Sequence, residues 1–292
     1  MIPPASGSAG RALVAILVLA LLPAGCRKVI KTKVRVDKAP VHRQVLHSTL
    51  PDLVQLVNSS YASMESLIAK MSLELQGETP DENYYERYRK TPAQIIAQSP
   101  DSIRINVQNP LTRTTIIAMA ASQAKFQIWA PTKNKFLTGS TDLERNDDNP
   151  IYNVRPEHVF PAILIEPLPV GPSAGVFLIE ETDARSKYYV IHELESGNLR
   201  LKRRLWIERS RLELVRQDYY DTDGGVASLI RYTVPVAEGQ AFVNTGIVLE
   251  RPRDRYTLRI RLDPKSLKTG RQLEERHFDL PIPPGAELIE LR

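Results

Sequence analysis

Arg255-Tyr256-Thr257-Leu258-Arg259-Ile260-Arg261-Leu262 alternates without a break. Tyr256, Leu258, Ile260 and Leu262 fall on one side, and Arg255, Thr257, Arg259 and Arg261 on the other. A period of two with one apolar and one charged phase marks a strand with one face buried and one in water. Such strands belong to antiparallel sheets, whose two faces see different surroundings.

The same period runs outward in both directions. Leu67, Ala69, Met71, Leu73 and Leu75 alternate with Ile68, Lys70, Ser72, Glu74 and Gln76. Ile103, Ile105 and Val107 open a further strand after the Pro100-Asp101 break, and Thr114 to Ala121 and Lys125 to Ala130 follow as a pair. Beyond residue 175 come Val176 to Thr182, Lys187 to Leu194, Leu201 to Glu208, Leu212 to Tyr220, Val226 to Thr233 and Ala241 to Leu249, with a terminal strand expected over Phe278 to Leu291. Turns rich in Gly, Asn and Asp separate them, as in Ser196-Gly197-Asn198 and Asp223-Gly224-Gly225. About a dozen short strands without a strand-helix-strand rhythm indicate a curled antiparallel sheet.

Two helices are expected. Ser48-Thr49-Leu50-Pro51-Asp52 supplies a cap, a first-turn proline and an acid at the positive end of the dipole. Leu53, Leu56, Val57 and Tyr61 then recur at helical spacing, with Asn58-Ser59-Ser60 weakening the far end. Arg155 to Ile165 is the second, where Pro161 fits only the first turn. Glu166 to Gly175 is a Pro/Gly connector. Neither half has the helix to cover a sheet alone, so a single curved sheet is expected.

The 292 residues are 42% hydrophobic and 25% charged, an ordinary globular balance. The net charge of +5 is local. Between residues 27 and 48 stand Arg27, Lys28, Lys31, Lys33, Arg35, Lys38 and Arg43 against Asp37 alone, which leaves the rest of the chain near neutral. No nucleic-acid partner is expected. Ahead of this stretch, Arg11, the apolar run Ala12 to Leu22 and the small Ala24-Gly25 form a secretory leader. That run falls short of the roughly 20 residues of a spanning helix. Cys26, the single cysteine, follows directly and excludes a disulfide framework. Cys26 is read as the site of lipid attachment; an ordinary cleaved leader with an unmodified cysteine is the other reading. The expected organisation is a leader over 1–25, a lipidated basic tether over 26–48 and a β domain over 49–292. The tether suits anionic headgroups, at about 1 kcal/mol per basic residue near the surface, or serves as a plain solvated linker.

Two stretches carry a resemblance. Leu205-Trp206-Ile207-Glu208, Glu213-Leu214-Val215-Arg216-Gln217 and Tyr220-Asp221-Thr222-Asp223-Gly224 resemble a strand pair of the bacterial LolA/LolB-like carriers and receptors. Phe278-Asp279-Leu280-Pro281-Ile282-Pro283-Pro284-Gly285-Ala286-Glu287-Leu288-Ile289 is similar to their last strand, and the helix-then-strand of Leu53 to Leu75 fits the same plan. Leu22-Pro23-Ala24-Gly25-Cys26 resembles a lipobox, with Pro23 where Leu is usual. The resemblance implies a mainly β (α+β) fold, a half-open antiparallel β-barrel of about 11–12 strands with short helices covering the open side. It also implies binding of acyl chains or lipoproteins at the outer membrane, with the body facing the periplasm. The expected partners are the bilayer through the acylated N-terminus, an acylated lipoprotein or lipid cargo, and a periplasmic carrier protein. Leu73, Ile105, Met119, Ile128, Leu258 and Ile260 are the expected cavity lining, although a closed core would use the same residues. Leu111, in the turn between the third and fourth strands, is the candidate for insertion into acyl chains or the bilayer. A protein-binding envelope sensor or structural module on the same fold is the alternative.

No catalytic centre, cofactor or metal is expected. Gly171-Pro172-Ser173-Ala174-Gly175 matches a nucleophile elbow in letters, but a connector precedes it and a strand follows, the reverse of the required context. Asp221-Thr222-Asp223-Gly224 lacks the distal ligands of a calcium loop and reads as a hairpin turn. His42, His47, His158, His192 and His277 show no metal-ligand spacing.

Overall fold

The computed structural model describes residues 44–78, 85–143, 150–171, 175–184, 186–236 and 243–291. The leader, Cys26, the basic tether and Ser173 lie outside them. Among the described residues fifteen strands form one sheet. The first meander is β1 (Ser66–Glu78), β2 (Tyr85–Gln98), β3 (Ser102–Gln108), β4 (Thr115–Ser122), β5 (Lys125–Ala130) and β6 (Lys135–Ser140). The second is β7 (Val176–Thr182), β8 (Lys187–Leu194), β9 (Leu201–Glu208), β10 (Glu213–Tyr220), β11 (Val226–Val236), β12 (Val243–Arg251) and β13 (Tyr256–Leu262). Each meander pairs neighbours antiparallel, and β1 joins β13, with Leu73 opposite Ile260 and Leu75 opposite Leu258. The short β14 (Lys268–Thr269) pairs with the start of β1, and β15 (Glu287–Glu290) lies parallel to β6.

Two meanders have four outer strands. β1 and β13 are joined to each other, β6 is covered by β15, and β7 is left at the edge. The sheet is an open, curled one, as the alternation in β13 requires: Tyr256, Leu258, Ile260 and Leu262 are buried while Arg259 and Arg261 are exposed.

The curl is visible in what shares one core. Among the described residues there are two α-helices, α1 (Leu50–Ser63) and α2 (Pro156–Ile163). The two-turn α2 touches β3, β4 and β12. In a flat sheet β3 and β12 would stand four strand spacings apart, roughly 19 Å, beyond the ~10 Å width of a helix. They meet one short helix because the sheet wraps around it. Val159, Phe160 and Ile163 of α2 pack among the inward residues of both meanders.

α1 crosses the open side. Leu46 N–H bonds the Arg209 carbonyl at 2.9 Å, and Tyr189 OH bonds the Leu46 carbonyl at 3.1 Å, tying the approach to the β8–β9 region. The helix then delivers the chain to β1. Its start is the expected one, with Thr49 and Asp52 forming a capping box and Leu53 and Val57 buried. The Thr49 hydroxyl and amide hold the Asp52 carboxyl below its ordinary range.

α1 runs on past Tyr61 to Ser63, and the Ser59 and Ser60 hydroxyls bond the Leu56 carbonyl within it. Two expectations are corrected. In α2 Pro156 takes the first turn, and Pro161 lies in the second, where its missing N–H helps to limit the helix to eight residues. The terminal strand shrinks to Glu287–Glu290, since Pro281, Pro283 and Pro284 cannot donate to a ladder. Residues 275–278 form a 3-10 turn instead, and Phe278 and Leu280 bury themselves on the outer face of the first meander. There Gln127 accepts the Leu280 N–H at 2.8 Å, and Ala118, Ala120 and Phe136 complete a second, smaller apolar cluster.

Candidate functional site

The six residues expected to line a cavity all point inward. Leu73, Ile105, Met119, Ile128, Leu258 and Ile260 belong to a single cluster that α1, α2 and the segment 164–168 fill from inside. Their exposures, none above 8%, describe a packed interior. Leu111 is elsewhere. It stands 90% exposed at the tip of the β3–β4 turn. Asn109 holds that turn, its Oδ1 accepting the N–H groups of Leu111 at 2.9 Å and Thr112 at 3.2 Å.

Open space begins where α1, the connector and β7 meet. A pocket of about 580 Å³ lies between Leu50, Val54 and Asn58 of α1, Pro169 and Val170 of the connector, and Val176 and Phe177 of β7. Its volume is within the roughly 300–1,000 Å³ of small-molecule sites. Leu50, Val54, Val170 and Phe177 make its walls apolar, and Val170 is 77% exposed. Leu53 and Val57, on the neighbouring face of the same helix, belong to the core behind it.

The connector is latched down on both sides. Asn58 Nδ2 donates to the Leu168 carbonyl at 2.9 Å, and Asn58 Oδ1 accepts the Leu168 N–H at 2.7 Å. One side chain thus satisfies both backbone groups of a buried residue, which no other residue of similar length does as well. From the sheet, the buried Arg203 donates to the Pro167 carbonyl at 3.0 Å and pairs with Glu193. Lys202 bridges Glu193 at 3.1 Å and Glu166 at 3.6 Å. Arg203 is an inward-facing arginine in a polar patch of the lining that also holds Glu193, Gln217 and Tyr219. Charges are rarely buried unless paired and hydrogen-bonded, and here the carboxylate, the carbonyl and the Tyr219 hydroxyl at 3.4 Å meet that need. Burial pushes the Tyr219 hydroxyl up to about 12.

A second polar cluster lies under the start of α2. His158 Nδ1 is 3.1 Å from the Tyr256 hydroxyl and its Nε2 is 3.3 Å from an Arg251 guanidinium nitrogen. Arg251 in turn holds Asp254 at 2.6 Å and Ser228 at 2.8 Å. Burial, and then the charges of Arg251 and Arg155, hold His158 well below its ordinary value. Glu157 beside it has both carboxylate oxygens buried without a hydrogen bond, and burial pushes it up to about 7.

The discounted chemistry has its place too. His192 is on the outer face of β8, opposite Phe177 and Arg204, and His277 is exposed in the 3-10 turn. Asp221 to Gly225 is a hairpin turn, closed by Asp221 N–H to the Gly225 carbonyl at 2.8 Å and steadied by Arg253 on Asp221 and Asp223. Among the described residues no group of three His, Cys, Asp or Glu side chains is placed to hold a metal ion.

Sequence reasoning missed Asn58, Val170, Phe177 and Arg203. A signal existed for Phe177: Val176-Phe177-Leu178-Ile179 is four apolar residues without alternation, which a strand with one wet face does not need. None existed for Asn58 or Arg203, whose partners are backbone groups more than thirty positions away.

No protein-family model matches the chain, and no curated protein matches it. Solved structures do. A LolA superfamily protein from Nitrosomonas europaea is similar at 12% identity and a TM-score of 0.48, covering 80% of this chain and 99% of that one. A DUF1329 family protein from Desulfovibrio piger is similar at 10% identity and a TM-score of 0.49, covering 80% and 98%. A putative outer membrane lipoprotein-sorting protein domain from Vibrio parahaemolyticus is similar at 12% identity and a TM-score of 0.47, covering 77% and 95%.

Proposed function

We propose that this chain is a membrane-anchored, non-catalytic lipoprotein that binds acyl chains or acylated lipoproteins and takes part in their transfer or sorting at the outer membrane. The observation that carries the reading is the apolar pocket between α1, the connector and β7. It offers a hydrocarbon chain an entrance walled by Leu50, Val54, Val170 and Phe177, with the apolar core directly behind. An acyl chain would enter there, and lifting the connector off Asn58 and Arg203 would extend the space inward toward Leu73, Leu258 and Ile260. Each buried methylene contributes about 0.8 kcal/mol, so even partial insertion of a long chain holds it.

In this reading Cys26 is the acylated anchor, the basic residues 27–43 lie against anionic headgroups, and the body faces the periplasm. Leu111 meets the cargo or the bilayer from its own turn. A fluorescent fatty acid titrated into the purified protein tests the pocket. Wild type should bind it saturably, Val54→Asp should weaken it at least tenfold, and Leu111→Glu should bind normally yet slow transfer to vesicles. Equal binding by folded Val54→Asp would remove the pocket as the site.

A further inference from the structure

The outer face of the sheet carries a basic crest that the acyl pocket does not use. We propose that this crest seats the folded body on an anionic lipid bilayer, with the pocket turned away from the lipid. The proposal rests on the anchored reading above and adds a second contact, made by the body rather than by residues 27–43.

The crest follows from strand phase. The outward phase of β13 carries Arg259 and Arg261, which stand opposite Glu74 and Ser72 of β1. Two residues earlier on the same phase of β1 is Lys70, a diagonal neighbour of Arg261. Ile68, again in phase, faces Lys268 of β14, so Lys268 joins the row. Two hydrogen bonds hold these segments together, Asp263 N–H to the Lys70 carbonyl and Lys70 N–H to the Ser266 hydroxyl, both at 2.8 Å. Lys265 sits in the 3-10 turn (Pro264–Ser266) between β13 and β14. Lys70, Arg259, Arg261, Lys265 and Lys268 are all exposed.

Their charge is not neutralised within the protein. Among the described residues none of these five is ion-paired. The nearby carboxylates are engaged otherwise: Glu74 pairs with Arg87, Glu250 pairs with Arg231, and Asp263 caps the 3-10 turn by accepting the Lys265 N–H at 3.1 Å. The flanking outward positions are uncharged, Pro92 and Gln94 on β2 and Gly246 and Val248 on β12. The five bases therefore offer their charge to an outside anionic surface.

Shape, chain path and charge choose a bilayer as that surface. β1 and β13 are the two central strands of the sheet path. In a curled sheet they form the convex ridge, the line along which such a body rests on a plane, and α1 with the pocket lies on the other side. β9 and β13 run in the same direction, so their ends share one rim. The chain enters the body at that rim, where Leu46 N–H bonds the Arg209 carbonyl just past β9. Residues 27–43 reach roughly 60 Å when extended, enough for an anchored Cys26 and the crest to meet one bilayer. Those residues are themselves basic, so the crest repels them and they do not cover it. Leu111 follows β3, which runs the same way as β1, and so lies at the opposite rim. That position leaves it to the cargo.

The test reads orientation, which the tether alone cannot supply. In the full chain Cys26→Ser removes the acylation site and leaves no other cysteine, so one new cysteine can carry a fluorophore. It is placed at Thr269, exposed beside Lys268, or at Ser196, exposed at the opposite rim. The vesicles carry a headgroup quencher and are phosphatidylcholine alone or with about one third phosphatidylglycerol. On the anionic vesicles the Thr269 label should be quenched and the Ser196 label should not, and phosphatidylcholine alone should bind neither. Lys70→Gln/Arg259→Gln/Arg261→Gln should lose at least tenfold in affinity, given about fivefold per basic residue near the surface. Its Thr269 quenching should vanish even where the tether still holds the chain. Lys31→Gln/Lys33→Gln/Arg35→Gln removes the same charge from the tether and should weaken binding while keeping the contrast between labels. Equal quenching at both labels overturns the proposal, as does a contrast that the crest variant retains or equal binding to both kinds of vesicle. Loss of the contrast in high salt keeps the idea testable should the crest variant not fold. A crest that ignores vesicles but saturably binds polyglutamate overturns the bilayer in favour of an acidic protein segment. Fatty-acid binding by the crest variant should stay at the wild-type level. Its absence from every chain would overturn the acyl reading and leave the crest standing.

Discussion

Both carboxylate oxygens of Glu157 lie buried without a hydrogen bond, 3.8 Å from Arg155 at the closest, with Arg251, Asp254 and His158 around them. Burial favours the neutral acid, and the group titrates near 7 in the folded protein against 4.5 as an ordinary glutamate. The native state therefore holds a proton that the unfolded chain releases between those values. Its contribution is whole below about pH 4.5 and is lost as the pH rises through about 7, a change on the order of 2 to 3 kcal/mol. His158 runs the other way: kept neutral by burial, it costs stability as the pH falls below its ordinary value of 6.5. In urea unfolding at pH 5.5 and pH 8, Glu157→Gln should flatten the alkaline loss by about 2 kcal/mol. Identical pH dependence in wild type and variant would show that Glu157 is solvated. Neither residue announces this in the sequence, where Glu157 and His158 read as an ordinary helix start. Trp206 is a like case: it sits on the outer face, covered by the guanidinium groups of Arg204 and Arg216 at 4.8 and 4.4 Å from its ring.

At the scale of elements, the pattern-bearing ones were legible and the tied-down ones were not. β13 and β1 follow their alternation, and α1 starts at the cap that its residues define, because those signals are local. The connector 164–171 is held by single side chains from distant elements, which no local pattern records. Of the tail expected as a strand only Glu287–Glu290 is one, because three prolines precede it. If the connector is a lid, Asn58 is its hinge pin. Asn58→Ala leaves the buried N–H and carbonyl of Leu168 unpaired, at about 1–3 kcal/mol for such a group. Urea unfolding should show a loss in that range, and stopped-flow release of a bound fluorescent fatty acid should quicken several-fold. Unchanged release would mean that chains leave by another route.

For the molecule as a whole, the residues fixed a curled antiparallel sheet with helices on its open side, and the structure bears that out in a single fifteen-stranded sheet. The anchor is a separate matter, since Cys26 and the basic stretch lie outside the described residues. Metabolic labelling with a fatty acid should mark wild type and leave Cys26→Ser unlabelled; a labelled Cys26→Ser chain would place the acyl group elsewhere, and an unlabelled wild type would remove the anchor.

The pairing of β1 with β13 has a consequence for the order of events at birth. The first meander can fold on itself as it emerges, since β1 to β6 pair with sequence neighbours. The other side of β1 must wait for Tyr256–Leu262, far along the chain from it. Contacts that close so long a loop form late and slowly. Until then β1 presents an unpaired, hydrogen-bond-hungry flank during translation, the kind of transient surface on which aggregation starts. That flank is covered only when β13 arrives.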